Sequence, residues 1–180
     1  MSQKFGEIRQ IAFVVRSIDD ALRYWTETLG VGPFFVMRQV TPDDWRYGGE
    51  PSPSPQMSIA LANSGAMQVE LIEQHDDSPS AYRDFLDSGH EGMHHVSSWT
   101  TRDEYDATMA RMRDAGVAVA HEGAINTMNV RFAYFATNDA PGGLYYEMAD
   151  LLEPPIYSFV EMIAGAARDW DGTDPIRNLG

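Results

Sequence analysis

The apolar positions of this chain change period in a fixed order, and the order occurs twice. Ile8 to Val15 (IRQIAFVV) is a β-branched apolar run that predicts a strand. Ser17-Ile18-Asp19-Asp20 then supplies a cap, with Ser17 and Asp20 at capping-box spacing. Ile18, Leu22, Trp25 and Leu29 follow at i, i+4, i+7 and i+11, one stripe of a helix, and Gly30 stands where that helix should stop. The order returns at Met93 to Trp99 (MHHVSSW), Thr101-Arg102-Asp103-Glu104, the face Tyr105, Thr108, Met109 and Met112, and Gly116. Gln10 and His95 lie 85 positions apart and Gly30 and Gly116 lie 86 apart, so strand, cap and stop keep one register.

Three further strand-like runs follow each helix. They are Phe34 to Val40, Met57 to Leu61 and Met67 to Ile72 in the first copy, then Val117 to His121, Arg131 to Ala136 and Leu144 to Met148 in the second. Asn63-Ser64-Gly65 and Pro141-Gly142-Gly143 supply turns between the last two strands of each copy. The unit is βαβββ, and two tandem copies, about 7–75 and 92–152, predict one α+β domain. Neither copy can bury both faces of a four-stranded sheet alone, so the two should pair into a curved mixed sheet around a cleft.

Three segments lie outside the repeat. Thr41 to Pro55 (TPDDWRYGGEPSPSP) reads as a long covering loop whose Trp45 and Tyr47 can line a pocket. Between the copies a short helix is expected over Ser80 to Leu86. In the tail, 153–180, Pro154-Pro155 precedes an apolar helical stripe of Phe159, Met162, Ile163, Ala166 and Trp170, which should pack on the body or on a second subunit as a homodimer.

Composition narrows the chemistry. There is no cysteine among the 180 residues, so thiolate nucleophiles, thiolate metal sites and disulfides are excluded. A formal charge of −14 disfavours nucleic acid and anionic membrane surfaces as partners. The apolar run Ile11 to Val15 is too short for a membrane span or a signal core, and a cytoplasmic location is expected.

Four polar residues interrupt otherwise apolar strands at matching places of the two copies: Gln10, Glu70, His95 and Glu147. A strand carboxylate among apolar neighbours is costly unless it is paired or holds a cation. Two carboxylates, an imidazole and an amide oxygen suit a divalent ion with positions left for water or substrate. Alternation would place His94 and His95 on opposite faces, so at most one of them looks into the cleft. Arg131 and Tyr134 are candidate substrate contacts, as is Trp45, whereas His75, His90 and His121 read as rim or structural residues.

The stretches IRQIAFVVRSIDDALRYWTETLG, EGMHHVSSW and GGLYYEMAD resemble the vicinal oxygen chelate superfamily, which includes glyoxalase I, methylmalonyl-CoA epimerase, extradiol dioxygenases and bleomycin-resistance proteins. The resemblance spans roughly residues 7 to 152. It implies Gln10, Glu70, His95 and Glu147 as ligands, a set similar to that of zinc-type glyoxalase I, and one divalent ion: zinc, nickel, cobalt, manganese or iron. Departures accompany it. Val14 and Gln74 stand where glyoxalase I carries the Arg and Asn that serve glutathione. Only Met57, Ser58 and Ile59 occupy the region of the epimerase's second catalytic Glu, and the single lysine, Lys4, is a poor dock for coenzyme A. Gln10 argues against the two-His, one-Glu iron site of the dioxygenases.

The expected activity is that of a metal-dependent lyase, isomerase or epimerase acting on a small oxygenated carbonyl compound. Two substrate oxygens would chelate the ion, an enolate would form, and Glu147, with Glu70 as second choice, would carry the proton. The alternative is a metal-free sequestration protein of the bleomycin-resistance kind, its cleft lined by Trp25, Trp45, Trp99, Tyr145 and Tyr146.

Overall fold

The computed structural model describes residues 2–139 and 141–179. The first copy is β1 (Ile8–Val14), α1 (Ile18–Arg23), β2 (Phe34–Val40), β5 (Met57–Ser64) and β6 (Met67–Gln74), with the hairpin β3 (Asp43–Tyr47) and β4 (Glu50–Pro51) inserted after β2. The second is β7 (Gly92–Trp99), α3 (Arg102–Asp114), β8 (Val119–Ile125), β9 (Val130–Phe135) and β10 (Tyr145–Ala149). Between them lies α2 (Ala81–Asp87), and after them α4 (Ile156–Arg168) and β11 (Ile176–Leu179). Both repeat helices start as the caps require. The Ser17 hydroxyl accepts from the Asp20 N–H, and Thr101 and Glu104 close a reciprocal capping box. Helix α1 ends earlier than its stripe suggests and continues as one π-helical stretch, Tyr24–Thr28.

All strands join one curved mixed sheet in the order β11-β2-β5-β6-β1-β7-β10-β9-β8-β3-β4. The copies meet at β1 and β7, which run antiparallel, and each of these strands lies parallel to the last strand of its own copy. Strand alternation separates two faces. On the convex face, Val69, Leu71, Phe34 and Val36 pack with Leu22 of α1, and Ala133, Phe135 and Met148 pack with Tyr105 and Met112 of α3. The concave face carries Gln10, Glu70, Glu147, Tyr134 and a surround of aliphatic side chains.

Two parts differ from the sequence expectation. Thr41 to Pro55 is not a plain loop, because β3 pairs antiparallel with β8 at the far edge of the sheet. Only Thr41 and Pro42 connect β2, near one end of the sheet, to β3, near the other. Two residues let Val40 and Asp43 separate by at most about 11 Å, so the sheet ends are drawn together around the cleft. Trp45 is thereby buried against His121 and Phe132, with its indole N–H donating to Pro79 O at 3.1 Å. It belongs to the core and does not line the cavity, contrary to the expected substrate contact. The hairpin pairs it inward, an outcome a loop reading cannot anticipate.

The terminal stripe finds its partner within the chain. Ile163 is fully buried with Phe35 and Leu61, and Phe159 and Ala166 flank it. Packing on the body, one of the two expected partners, thus takes up most of the stripe, while Met162 stays exposed. The tail also carries the short strand β11, parallel to β2, where only helix was expected. Among the described residues no helix is long and apolar enough to cross a membrane.

Candidate metal centre

Glu70, His95 and Glu147 converge at the base of the concave face. Each offers a ligand atom, and these atoms lie within 4.8 Å of one another. His95 Nε2 is 3.4 Å from Glu70 Oε2 and 3.7 Å from Glu147 Oε2. The pseudo-twofold arrangement produces this meeting: β6 and β10 flank the central β1–β7 pair, so their inward carboxylates face each other across it. Gln10, on β1, lines the same cavity and donates from Nε2 to Gln68 Oε1 at 2.8 Å.

Burial sets the electrostatics. It drives the Glu70 carboxyl up to about 8, with no opposing contact of consequence. Glu147 is raised to about 7 by burial, an effect moderated by His95 and by hydrogen bonds from Ser97 and Tyr134. Burial holds His95 down at about 4. Glu70 Oε2 has no hydrogen-bond partner. Two carboxyls and a neutral imidazole facing each other, one oxygen orphaned, leave an acceptor-rich site that a divalent cation would satisfy. The donor set therefore fits the group that the sequence pattern implies.

Both adjacent histidines point inward, contrary to simple alternation. The register against β1 shifts between Ala12 and Phe13, so Ala12 faces His95 while Phe13 faces Met93, and His94 is the extra residue of a bulge. His94 Nδ1 consequently lies 3.0 Å from His95 Nδ1, and His94 Nε2 lies 3.2 Å from Ala81 O. Hydrogen directions follow from chemistry. A carbonyl only accepts, so His94 Nε2 donates to Ala81 O. Burial keeps His94 neutral at about 3, so its Nδ1 must accept from His95 Nδ1–H. His95, also neutral, then has its unprotonated Nε2 on the side of the carboxylates. Tyr82 donates to the Tyr134 hydroxyl at 2.8 Å, which leaves the Tyr134 proton facing His95 Nε2 at 3.1 Å.

His94 is thus a positioning residue that fixes the metal-ready tautomer of its neighbour. His94→Phe should weaken cation affinity by roughly 10–100-fold, the usual cost of losing such a partner. Nitrogen-15 spectra of the metal-free protein should show His95 protonated at Nδ1, and a mixture of tautomers in the variant. Unchanged spectra and affinity would remove the role.

The other sequence candidates divide. Tyr134 lines the cavity, but Arg131 does not. Arg131 Nε donates to Asp150 Oδ2 at 2.9 Å, NH1 pairs with Asp106 at 2.8 Å, and the guanidinium lies over the Tyr105 ring. Residues 131 and 134 are an odd number apart, so a regular strand sends them to opposite faces. Trp25, Trp99, Tyr145 and Tyr146 also stay outside the cavity, whose aromatic walls are Tyr82, Phe132, Tyr134 and Phe159. Sequence reasoning does not single out Gln68, Tyr82 or His94. Gln68 is readable, two residues before Glu70 on the same strand face, whereas Tyr82 and His94 depend on helix placement and a bulge.

The model of the Glyoxalase/Bleomycin resistance protein/Dioxygenase superfamily matches residues 9–135. The chain belongs to this superfamily. No curated protein matches it significantly. Solved structures with the same fold include a hypothetical protein from Bacillus halodurans, 21% identical, covering 82% of this chain and 95% of that one at a TM-score of 0.56. Another is methylmalonyl-CoA epimerase from Mycobacterium tuberculosis, 18% identical, covering 83% and 91% at 0.55. A variant of the Streptomyces coelicolor methylmalonyl-CoA epimerase in complex with 2-nitronate-propionyl-CoA is 22% identical, covering 81% and 94% at 0.53.

Proposed function

We propose that this superfamily member is a metal-dependent enzyme of the isomerase or epimerase type that moves a proton beside a carbonyl group of a small oxygenated substrate. The carrying observation is the buried convergence of Glu70, His95 and Glu147 at the base of an otherwise apolar cavity. Gln10, Glu70, His95 and Glu147 would hold the ion. A divalent cation in such a site supplies Lewis acidity to two neighbouring substrate oxygens and lowers the cost of negative charge on them.

The chain's own groups do the rest. Glu147 takes the substrate proton at a carboxylate oxygen and returns it. Tyr134, whose register partner on β10 is Glu147, lines the same cavity with its hydroxyl directed at His95 Nε2. Epimerase activity in fold relatives agrees with this reading, as does the retention of both carboxylates, which sequestration of a ligand does not need.

Solvent deuterium should enter candidate 2-oxo, 2-hydroxy-carbonyl or thioester compounds at the carbon beside the carbonyl, and only when a divalent cation is supplied. Exchange at the same rate in chelator-treated protein would refute a metal-dependent proton transfer.

A further inference from the structure

We infer that the substrate has an apolar body and carries no carboxylate, phosphate or sulfonate beyond its chelating head. This rests on the proposed metal-assisted reading of the same cavity and adds the class of molecule it accepts.

Charge accounting carries the inference. None of the residues that line the cavity is a lysine or arginine. Arg131, the nearest candidate on β9, is turned to the convex face and spent on Asp150 and Asp106. The polar groups inside are two carboxyls, two phenols and the amides of Gln10 and Gln68, and Gln68 Nε2 is buried without a partner. When Glu70 and Glu147 are both ionised, their two charges match a divalent cation and no positive charge is left over. A second anionic group on the substrate would enter a water-poor space without a counter-ion, which costs several kcal/mol in general. Arg side chains are the usual means of holding such a group, and here they are absent from the walls.

The walls say what is accepted instead. Met37, Ile59 and Leu61 of the sheet face Ile156, Phe159 and Val160 of α4 across the cavity. Its volume is about 110 Å³. An apolar space of roughly 150 Å³ is enough to take up a molecule the size of benzene. The space beside the proposed ion therefore suits a short aliphatic or small aromatic substituent, and α4 forms its roof.

The test uses two hydroxamic acids that share one bidentate head, one with an isobutyl tail and one with a tail of similar length ending in a carboxylate. Binding is measured by calorimetry on zinc-loaded protein and by thermal shift on chelator-treated protein. The isobutyl probe should bind at least about 100-fold more tightly to the loaded protein, and it alone should raise the melting temperature of the metal-free form. Met37→Arg, which brings a cation to the half-buried edge of the wall, should narrow or reverse that preference. Equal or tighter binding of the carboxylate probe by the unmodified protein would overturn the inference. Preference for the isobutyl probe in both forms, with no gain in affinity from zinc, would uphold the inference while refuting the metal-dependent reading beneath it.

Discussion

Glu147→Gln should keep the cation at least partly bound while proton exchange falls by roughly 10²–10⁴-fold, the range typical of a lost general base. Glutamine preserves the size of the side chain and one oxygen ligand but cannot accept a proton at neutral pH. The substitution is also gentle on the fold, because burial already favours the uncharged form of this carboxyl in the metal-free protein. Glu70→Gln should harm cation retention to a similar degree yet reduce exchange less. The asymmetry comes from the surroundings. Ser97 and Tyr134, the register partners of Glu147 on the flanking strands, favour its ionised form, whereas Glu70 Oε2 has no hydrogen-bond partner and is the better placed to remain a ligand throughout. Equal activity losses that track cation loss alone would mean that both carboxylates are only ligands and that the base lies elsewhere.

The second large effect is a pH dependence whose sign depends on the cation. Glu70 and Glu147 have folded-state values near 8 and 7, above the ordinary 4.5. Such groups stabilise the fold below the ordinary value, and that contribution is lost as pH rises through the folded value. The buried histidines act at the other end. His94 and His95 are held near 3 and 4, so their contribution is intact above 6.5 and is lost as pH falls towards those values. Between pH 6.5 and 8 these histidines are neutral in the folded state and the unfolded chain loses its remaining histidine charge, an opposing effect smaller than that of the two carboxyls.

Metal-free protein should therefore lose stability across that window, by on the order of 2 kcal/mol, because each proton held only by the folded state costs about 1.4 kcal/mol for every pH unit gained. With a saturating divalent cation the trend should reverse, because the ion binds the ionised carboxylates. Urea unfolding at several pH values, with and without the ion, measures both slopes. Glu70→Gln should flatten the metal-free slope; a slope unchanged by it would contradict the burial of an ionisable carboxyl at this position.

Much of the fold is legible in the sequence because it rests on short-range rules repeated twice. The Ser17 and Thr101 caps and the stops at Gly30 and Gly116 all act within one or two turns of chain. Convergence of Glu70, His95 and Glu147 follows from the same symmetry, since matching strands of two equal units must meet at their axis.

What escapes a sequence reading depends on partners distant in the chain or on breaks in period. Gly48 and Gly49, both at positive φ, are the two-residue turn of the β3–β4 hairpin, and the glycine pair between Trp45-Arg46-Tyr47 and Glu50-Pro51 is the available signal. Its pairing with β8, and hence the burial of Trp45, lies beyond any local rule. The bulge that turns His94 inward replaces alternation at a single residue. Arg131 is the reverse case: parity alone excludes it from the face of Tyr134.

The central claim is a divalent cation held by Gln10, Glu70, His95 and Glu147, and its most direct test is the cation content of the purified protein after reconstitution and desalting. Zinc, nickel, cobalt, manganese and iron would be supplied in turn and the retained metal quantified by elemental analysis. The account predicts about one ion per chain for at least one of these metals, and near-complete loss in the Glu70→Ala, Glu147→Ala double variant. Protein that retains none of the five, or a double variant that retains as much as the unmodified chain, would contradict it.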